Sequence, residues 1–592
     1  MRAAPTSSSL RPVLSGVPRR LPWWAGWSLM AGLILVEFLL FRHYLHREVV
    51  WAYPQYTDQV AYLSQAYETY ESMKSRGIVR AIAAQPPIAQ GALMPVQAGL
   101  FFFVAGPSRQ SALDLNFIYF ALLQCGLVGT VRWLAGRWDV AWIALGLLLS
   151  AGTPFLGAGG IADFRMDFIA FCLYGLLLCA VIRSRVLADW RWAPAVALVG
   201  AVLIGFRFIA AVYVAGALGL LAVVFIARLF SRDAPTRHDS RRRLAALLIA
   251  GAILALLVAP LLWANRNAIH DYYWVNHVTG AEKEVRAAEV GANEWAAALM
   301  YYPRSLLTRH AGFAFLATAG AILIGAALVR LGGERVRAGS VARSEEGTTG
   351  SKRETTPLDT YPLSLAWAAS GAFLIVPLAA LTMDVSKSPV VADVMVVPLV
   401  WLVILAGLTL LRGRFPSRPT PLAFALGFAA IASIGWGVRT QVAAYSADRF
   451  MSQHRRAVQT IARLYDDMAA ETRWRGWPDI GVFCNSIDDC LNGQIATVLT
   501  YERHRYLLHA GDMSMTVLAI PEEDVFRQIA ASHFVILSLR PSPPGAFDYP
   551  FNQELDALRP RVEAVCQRDM TEVGHYPIFG SDVRLFVRRA PR

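Results

Sequence analysis

An isolated acid, Asp58, lies in a stretch of aromatic and amide residues, WAYPQYTDQVAYLSQAYETY, which spans residues 51–70. No cation close to it in the sequence balances its charge. A carboxylate in that setting can take a proton from a hydroxyl group, which is general base catalysis. It can also cap the helix predicted over 59–70, because Asp before a helix accepts unpaired backbone N–H groups. The two roles are compatible, and both stay open.

A second acidic group follows in GGIADFRMDF, where Asp163 and Asp167 are four residues apart with Arg165 between them. On a helix this spacing places both acids on one face, from which one of them could reach Asp58. A helix start, with Asp163 as its cap and Asp167 in its first turn, explains the same residues without catalysis. The candidate catalytic residues are therefore Asp58, Asp163 and Asp167, with a structural role as the alternative for each.

Several cations have the right chemistry to hold an anionic phosphate. Arg207, in IGFRFIA, sits in an apolar stretch without a neutralising neighbour, and Lys387 stands alone in DVSKSP. Arg binds phosphate through two parallel hydrogen bonds and Lys as a point charge, although either can instead reach towards lipid headgroups. Three further candidates lie in one polar stretch with many aromatic residues: Arg266, Arg304 and Arg309.

The composition excludes an ordinary soluble protein. Of the 592 residues 55% are hydrophobic and only 17% are charged, whereas soluble domains carry roughly a quarter of charged residues. The sequence predicts a polytopic α-helical membrane protein. The net charge of +13 comes from arginines clustered between apolar runs, which is the pattern of cytoplasmic loops. We therefore expect no nucleic-acid partner.

The first apolar segment, 23–41, is long enough to cross a bilayer and follows residues 1–22, which contain arginines and no acid. We expect an uncleaved first helix with a cytoplasmic N-terminus. The following loop, 43–91, then faces the outside, which in a bacterium is the periplasm. The multi-pass protein would reside in the bacterial inner (plasma) membrane.

Twelve apolar segments are present, but the basic linkers between them are consistent only with about eleven transmembrane helices. The short segment 92–105, opened by Met94-Pro95, is the one we expect to be re-entrant or interfacial. The stretch 193–227 is interpreted as two short helices with a turn near Arg207.

A change of composition near residue 440 divides the chain. The prediction is a transmembrane domain over 23–440, with outer loops 43–91 and 265–310, and a periplasmic α/β domain over 441–592. In that second domain apolar runs alternate with helical patterns, which indicates a small sheet covered by helices.

Cys484 and Cys490 in the second domain are separated only by NSIDD, and an oxidising compartment favours a disulfide between them. Cys566 would remain single. A metal pair is disfavoured because no histidine lies beside them at ligand spacing.

These features together resemble the GT-C glycosyltransferases. The shared layout is a first helix with its N-terminus inside, a large outer loop with an Asp before an aromatic helix (YTDQVAYL), QPPIAQGAL before an apolar run, a second acid cluster (ADFRMDF) and a polar C-terminal outer domain. The similarity is to the family 39-like group of protein mannosyltransferases and lipid A aminoarabinose transferases. It covers about residues 23–440 in layout, and its motifs are short.

The resemblance implies roles for individual residues. Asp58 matches the catalytic Asp of the first loop, and Asp163 or Asp167 matches the second acid. Arg207 lies near the place where the family often has a Lys before a Gly-Pro pair, which this sequence lacks. Lys387 stands where relatives often carry an Arg-Tyr pair.

The implied reaction moves a sugar from a polyprenyl-phosphate donor to an acceptor hydroxyl on a lipid, glycan or protein. No nucleotide sugar is available outside the plasma membrane, so the donor must be lipid-linked. Asp58 would act as general base, the cations would stabilise the leaving phosphate, and direct displacement would invert the anomeric configuration. No cofactor is required, although a divalent metal between Asp58 and the second acid pair is compatible with the scheme.

Two other functions stay open. A lipid-linked glycan polymerase or ligase would also face outwards, but it would not need the acid of the first loop. A transporter could use Asp163, Asp167 and Arg207 as ion or proton sites, but transporters usually contain internal repeats, and none is evident here.

Overall fold

The computed structural model describes residues 23–55, 57–341, 358, 361–384, 386–412, 421–486, 490–513, 517–539 and 549–589. The predicted cytoplasmic segment 1–22 lies outside the described residues. Nine described helices are long and apolar enough to cross a membrane. The chain is therefore a multi-pass membrane protein, whereas the count of eleven crossings stays a prediction.

The helices before the sheet are, in chain order, α1 (Trp23–Tyr44), α2 (Thr57–Arg76), α3 (Ile78–Ala83), α4 (Leu93–Ala105), α5 (Arg109–Ala135), α6 (Trp138–Leu149), α7 (Met166–Arg183), α8 (Ala193–Phe206), α9 (Ala210–Leu229), α10 (Ala234–Ile269), α11 (Glu282–Glu289), α12 (Trp295–Ser305), α13 (Gly312–Val341), α14 (Leu363–Met383), α15 (Val396–Leu411), α16 (Pro421–Ser446), α17 (Phe450–Gln453) and α18 (Arg455–Arg475). Their buried apolar side chains form one continuous core, which extends into part of the sheet region.

Two short helices depart from the pattern of long spans. α4 has 13 residues and ends at Ala105, before Gly106 with its φ of 79°, so it is shorter than the roughly 20 residues that a span needs. α8 ends at Phe206 and α9 begins at Ala210, which confirms the predicted break at Arg207. A charged side chain thus sits at a helix end, where the backbone is already interrupted.

The C-terminal region contains a five-stranded sheet with strand order β2-β1-β3-β5-β4. Its elements are β1 (Asp479–Cys484), α19 (Gly493–His504), β2 (His509–Asp512), α20 (Glu522–Ala531), β3 (Phe534–Ser538), α21 (Pro550–Asp569), β4 (Met570–Ile578) and β5 (Ser581–Arg588). β1 pairs in parallel with β2 and β3, and β5 pairs antiparallel with β3 and β4.

Two of these elements have little signal in the sequence. β2, with the sequence HAGD, has no β-branched or aromatic residue and therefore no strand signal. α20 follows a turn and is amphipathic over only ten residues. The predicted sheet covered by helices is confirmed.

Cys484 ends β1, and Cys490 lies shortly before α19; both are buried. The hydroxyl of Tyr465 donates a hydrogen bond to the Cys490 carbonyl at 3.0 Å. The disulfide between these two cysteines stays a prediction.

Candidate active site

Asp58 lies in the first turn of α2, which begins at Thr57. A carboxylate is favourable there because the helix dipole is positive at its N-terminus. The Asp58 carboxylate accepts a charged hydrogen bond from the guanidinium of Arg165. Beside it, the amide of Gln59 donates to the carbonyl of Ala162 at 3.3 Å. The start of α2 is thus in direct contact with the loop that precedes α7.

That loop is shaped by Asp163. The Asp163 carboxylate accepts the backbone N–H of Gly159 at 2.7 Å, and Gly159 has a φ of +77°, a conformation suited to glycine. The side-chain amide of Asn116 on α5 donates to the carbonyls of Ile161 and Asp163 at 3.0 and 2.9 Å. The loop is therefore stabilised by its own hydrogen bond between Gly159 and Asp163 and by the hydrogen bonds from Asn116 on α5.

This arrangement corrects the prediction that the two later acids share a helical face. α7 begins at Met166, so Asp167 is in its first turn but Asp163 lies before it. Asp163 also does not cap α7, because its carboxylate turns back to Gly159. Helical spacing does not apply to Asp163 because the helix starts three residues after it, at Met166.

Arg165 nevertheless brings the three acids together. Its Nε lies 3.7 Å from a carboxylate oxygen of Asp163 and 3.7 Å from one of Asp167, while its Nη2 contacts Asp58. Asp163 and Asp167 are buried, but the Asp58 side chain is 48% exposed. In the sequence Arg165 stands out only as the residue between two acids. An arginine flanked by two acids is the sequence signal that could have identified Arg165 as part of the site.

Arg207 joins the same group. Its Nη1 lies 2.5 Å from Oδ1 of Asp167. The turn that carries Arg207 is fixed by the segment QPPIAQG, because the N–H of Phe208 donates to the Gln90 carbonyl at 2.8 Å. A side chain at Gly91 would overlap the carbonyl of Phe206, so this close approach requires glycine.

Burial and charge act in opposite directions on Arg207. Burial disfavours its charged form, but Asp167 and the nearby tyrosines outweigh that effect and raise the pKa of Arg207 above its ordinary value. Burial also raises the pKa of the Tyr62 phenol well above its usual range, and the charge of Asp167 adds to the shift. Tyr62 therefore stays neutral, and its hydroxyl donates to the side chain of Gln90.

A further acid, Asp393, is not among the candidates from the sequence and lies in a short helical turn before α15. Asp393 is 1% exposed, and its Oδ1 accepts the N–H of Val394 at 2.7 Å. Its charge interacts with those of Asp167 and Arg207. The only sequence signal was an acid inside the apolar run VVADVMVVPL, which is unusual because a buried charge is costly.

Lys387, a predicted phosphate ligand, has its ammonium group directed at backbone carbonyls. It donates to the carbonyls of Leu381 and Thr382 at 3.0 and 2.7 Å and also to that of Asp384. The ammonium also lies 5.3 Å from the centre of the Tyr302 ring. These carbonyls are at the C-terminal end of α14, where a cation is favourable.

We predict that Lys387→Met destabilises the protein without weakening donor binding, because the ammonium group donates hydrogen bonds to the carbonyls at the C-terminal end of α14. Loss of its hydrogen bonds should lower the free energy of unfolding by about 1–3 kcal/mol, measured by thermal unfolding of the purified protein. Lys283→Met, which removes an exposed lysine bonded to the Val278 carbonyl, is the control. A large rise in donor KM at unchanged stability would instead support a phosphate-binding role.

The other three predicted cations are exposed. Arg266 stacks on Trp263, with its guanidinium carbon 4.4 Å from the ring centre, and Arg304 and Arg309 are solvent-exposed. The structure therefore brings Arg207 into the acidic group and leaves Arg266, Arg304 and Arg309 on the surface. Over the described residues, no group of three or more His, Cys, Asp or Glu side chains is arranged to hold a metal ion.

The architecture is similar to that of solved membrane-protein structures. ArnT from Cupriavidus metallidurans bound to undecaprenyl phosphate matches with a TM-score of 0.53 and 12% identity, over 95% of this chain and 98% of that chain. Its apo state matches with the same TM-score and 13% identity over the same shares. AglB, the oligosaccharyltransferase of Archaeoglobus fulgidus, in complex with an inhibitory peptide and a dolichol-phosphate, gives a TM-score of 0.47 and 12% identity over 87% and 70%.

No protein-family model and no curated protein sequence matches the chain. The likeness to ArnT, at low identity but over nearly the full length of both chains, shows a shared fold. The chain therefore has the GT-C fold, the fold of a class of membrane glycosyltransferases, with a sheet-containing C-terminal region.

Proposed function

We propose that this chain is a membrane glycosyltransferase that moves a sugar from a polyprenyl-phosphate donor to an acceptor hydroxyl on the periplasmic side of the bacterial inner membrane. The observation that supports it most is the arrangement around Arg165. A half-exposed carboxylate, Asp58, is held at the edge of a buried group of acids and guanidinium groups. ArnT, which shares the fold, was crystallised with undecaprenyl phosphate.

Exposure distinguishes Asp58 from the other acids as the general base. Asp163 is buried and bonded to Gly159, and Asp167 is buried between Arg165 and Arg207, so neither offers an open oxygen to an incoming acceptor. Asp58 is 48% exposed, and its ion pair with Arg165 fixes the carboxylate at the edge of the group. The acceptor hydroxyl would lose its proton to Asp58 as its oxygen attacks the anomeric carbon.

Arg207 is the cation best placed for the donor phosphate. It lies at a helix break beside Asp167 and among tyrosines, so the surrounding groups hold a positive charge at a fixed place. As the bond between the anomeric carbon and the phosphate oxygen breaks, negative charge grows on the lipid phosphate, and a preorganised cation stabilises it. Attack opposite the leaving phosphate inverts the anomeric configuration.

Transfer of radiolabelled sugar from a panel of polyprenyl-phosphate donors, in membranes that contain the protein, tests this function. We expect transfer from at least one donor and opposite anomeric configurations in donor and product. Failure with every donor would favour the glycan polymerase, ligase or transporter alternatives. Retained configuration would contradict direct displacement.

We predict that transfer does not depend on a divalent metal. The guanidinium of Arg165 already lies among the three carboxylates that a metal cation would otherwise bridge. Enzyme treated with EDTA and then freed of it should keep its transfer rate within about twofold of the untreated enzyme. EDTA cannot remove the positive charge at the site, because that charge is the guanidinium of Arg165. A large loss of rate that Mg²⁺ or Mn²⁺ restores would contradict this prediction.

A further inference from the structure

A buried ion pair joins the sheet-containing region to the membrane helices. Arg109, the first residue of α5, places its Nη2 2.6 Å from Oε2 of Glu502 on α19, and its Nε donates to Oε1 at 3.2 Å. The Arg109 side chain is 0% exposed and that of Glu502 is 14% exposed. A buried guanidinium without a counter-charge is strongly unfavourable, so Arg109 depends on Glu502.

Arg109 also holds the chain that leads into α2. Its Nη1 donates to the carbonyl of Val49 at 3.1 Å and its Nη2 to that of Ala52 at 2.8 Å. Both carbonyls lie between α1 and Asp58. The same guanidinium thus bridges the connection from α1 to α2 and the C-terminal region.

α19 contacts α2 on the other side of Asp58 as well. The hydroxyl of Tyr67 donates to Oε1 of Glu502 at 2.8 Å, and its ring stacks on Tyr501 with the ring centres 4.5 Å apart. The hydroxyl of Tyr501 donates to Glu71 at 2.6 Å. Asp58 therefore lies between two attachment points, one before it and one after it, and Glu502 takes part in both.

We propose that Glu502 and Arg109 form a positioning pair through which the C-terminal domain holds Asp58 in its working place; this rests on the proposed role of Asp58 as general base. Neither residue contacts the reacting atoms. Their effect is on the placement of α2, and a displacement of about 1 Å in a reacting group lowers a rate by as much as about 100-fold.

The test compares Glu502→Gln with the wild type in sugar transfer and in hydrogen exchange of the amides between Val49 and Asp58. Glu502→Gln keeps the shape of the side chain and removes the charge that Arg109 needs. We expect kcat to fall by about 10- to 100-fold, donor KM to stay within a factor of two, and the amides of this segment to exchange faster. Arg503→Gln is the matched control, since the neighbouring Arg503 pairs with Asp466 on α18 at 2.7 Å.

A second variant keeps the test informative if Glu502→Gln fails to fold. Arg109→Met with Glu502→Met removes both charges, so no unpaired charge remains buried, but it also removes the bonds to Val49 and Ala52. A folded double variant with low kcat and fast exchange supports the pair as a positioning device. A wild-type kcat in either folded variant overturns the positioning proposal. If neither variant is found in the membrane, the pair is needed for folding, and that result overturns the proposal as well.

Asp58→Asn in the same assay separates the two proposals. Unchanged transfer by Asp58→Asn would refute the role of Asp58 on which the positioning proposal rests. Loss of transfer in Asp58→Asn together with a normal kcat in Glu502→Gln would refute the positioning pair and leave the proposed function intact.

Discussion

Replacing Asp58 with Asn is expected to slow sugar transfer strongly while the protein still folds. Asn has nearly the same size and can still accept a hydrogen bond from Arg165, but it cannot take the acceptor's proton. General base catalysis is worth about 10²- to 10⁴-fold in rate, so kcat should fall by that factor. Because Asp58 is 48% exposed, its loss should change stability little. Single-turnover transfer of radiolabelled sugar measures the effect.

Glu68→Gln is the matched control for Asp58. Glu68 lies on the same helix, is 44% exposed, and accepts a hydrogen bond from Ser64 at 3.2 Å. The same chemical change there should leave transfer at the wild-type rate. Full activity in Asp58→Asn would move the base to Asp163 or Asp167 and would show that exposure is a poor guide to the catalytic acid.

The interruption at Arg207 could be predicted from sequence because a lone charge inside an apolar run is costly unless the helix ends there. The proximity of Asp58, Asp163 and Asp167 was also anticipated, but for the wrong geometric reason. Helix periodicity placed two acids on one face, whereas in the structure Arg165 reaches all three from a loop. Periodicity describes regular helices, and this loop is stabilised by side chain to backbone bonds that leave no periodic pattern.

Other features depend on contacts between distant parts of the chain. Arg109 and Glu502 are 393 residues apart, and each looks like an ordinary charged residue near a helix end in the sequence. Asp393 lies within electrostatic range of Asp167 and Arg207 because α7, α8 and the turn before α15 pack together. Lys387 was assigned to phosphate because an isolated cation at a turn has the same sequence signature whether it binds an anion or the end of a helix.

Arg207→Gln is expected to damage both stability and activity. Removing Arg207 takes away the closer of the two guanidinium groups beside Asp167, at 2.5 Å against 3.7 Å for Arg165, and the loss of one partner of a buried ion pair costs up to about 3–5 kcal/mol. If Arg207 stabilises the leaving phosphate as proposed, its removal also lowers kcat by about 10²- to 10³-fold. Thermal unfolding and transfer kinetics on the same purified sample measure the two effects.

The double variant Arg207→Gln with Asp167→Asn separates these two effects. Removing the Asp167 charge as well leaves no carboxylate that has lost its closest cation, so most of the lost stability should return. Activity should not return if Arg207 is the cation that stabilises the leaving phosphate, as proposed. Arg266→Gln, an exposed arginine stacked on Trp263, should resemble the wild type in both measurements. If the double variant regained kcat together with stability, Arg207 would act only by holding Asp167, and the phosphate would have to be bound by other donors.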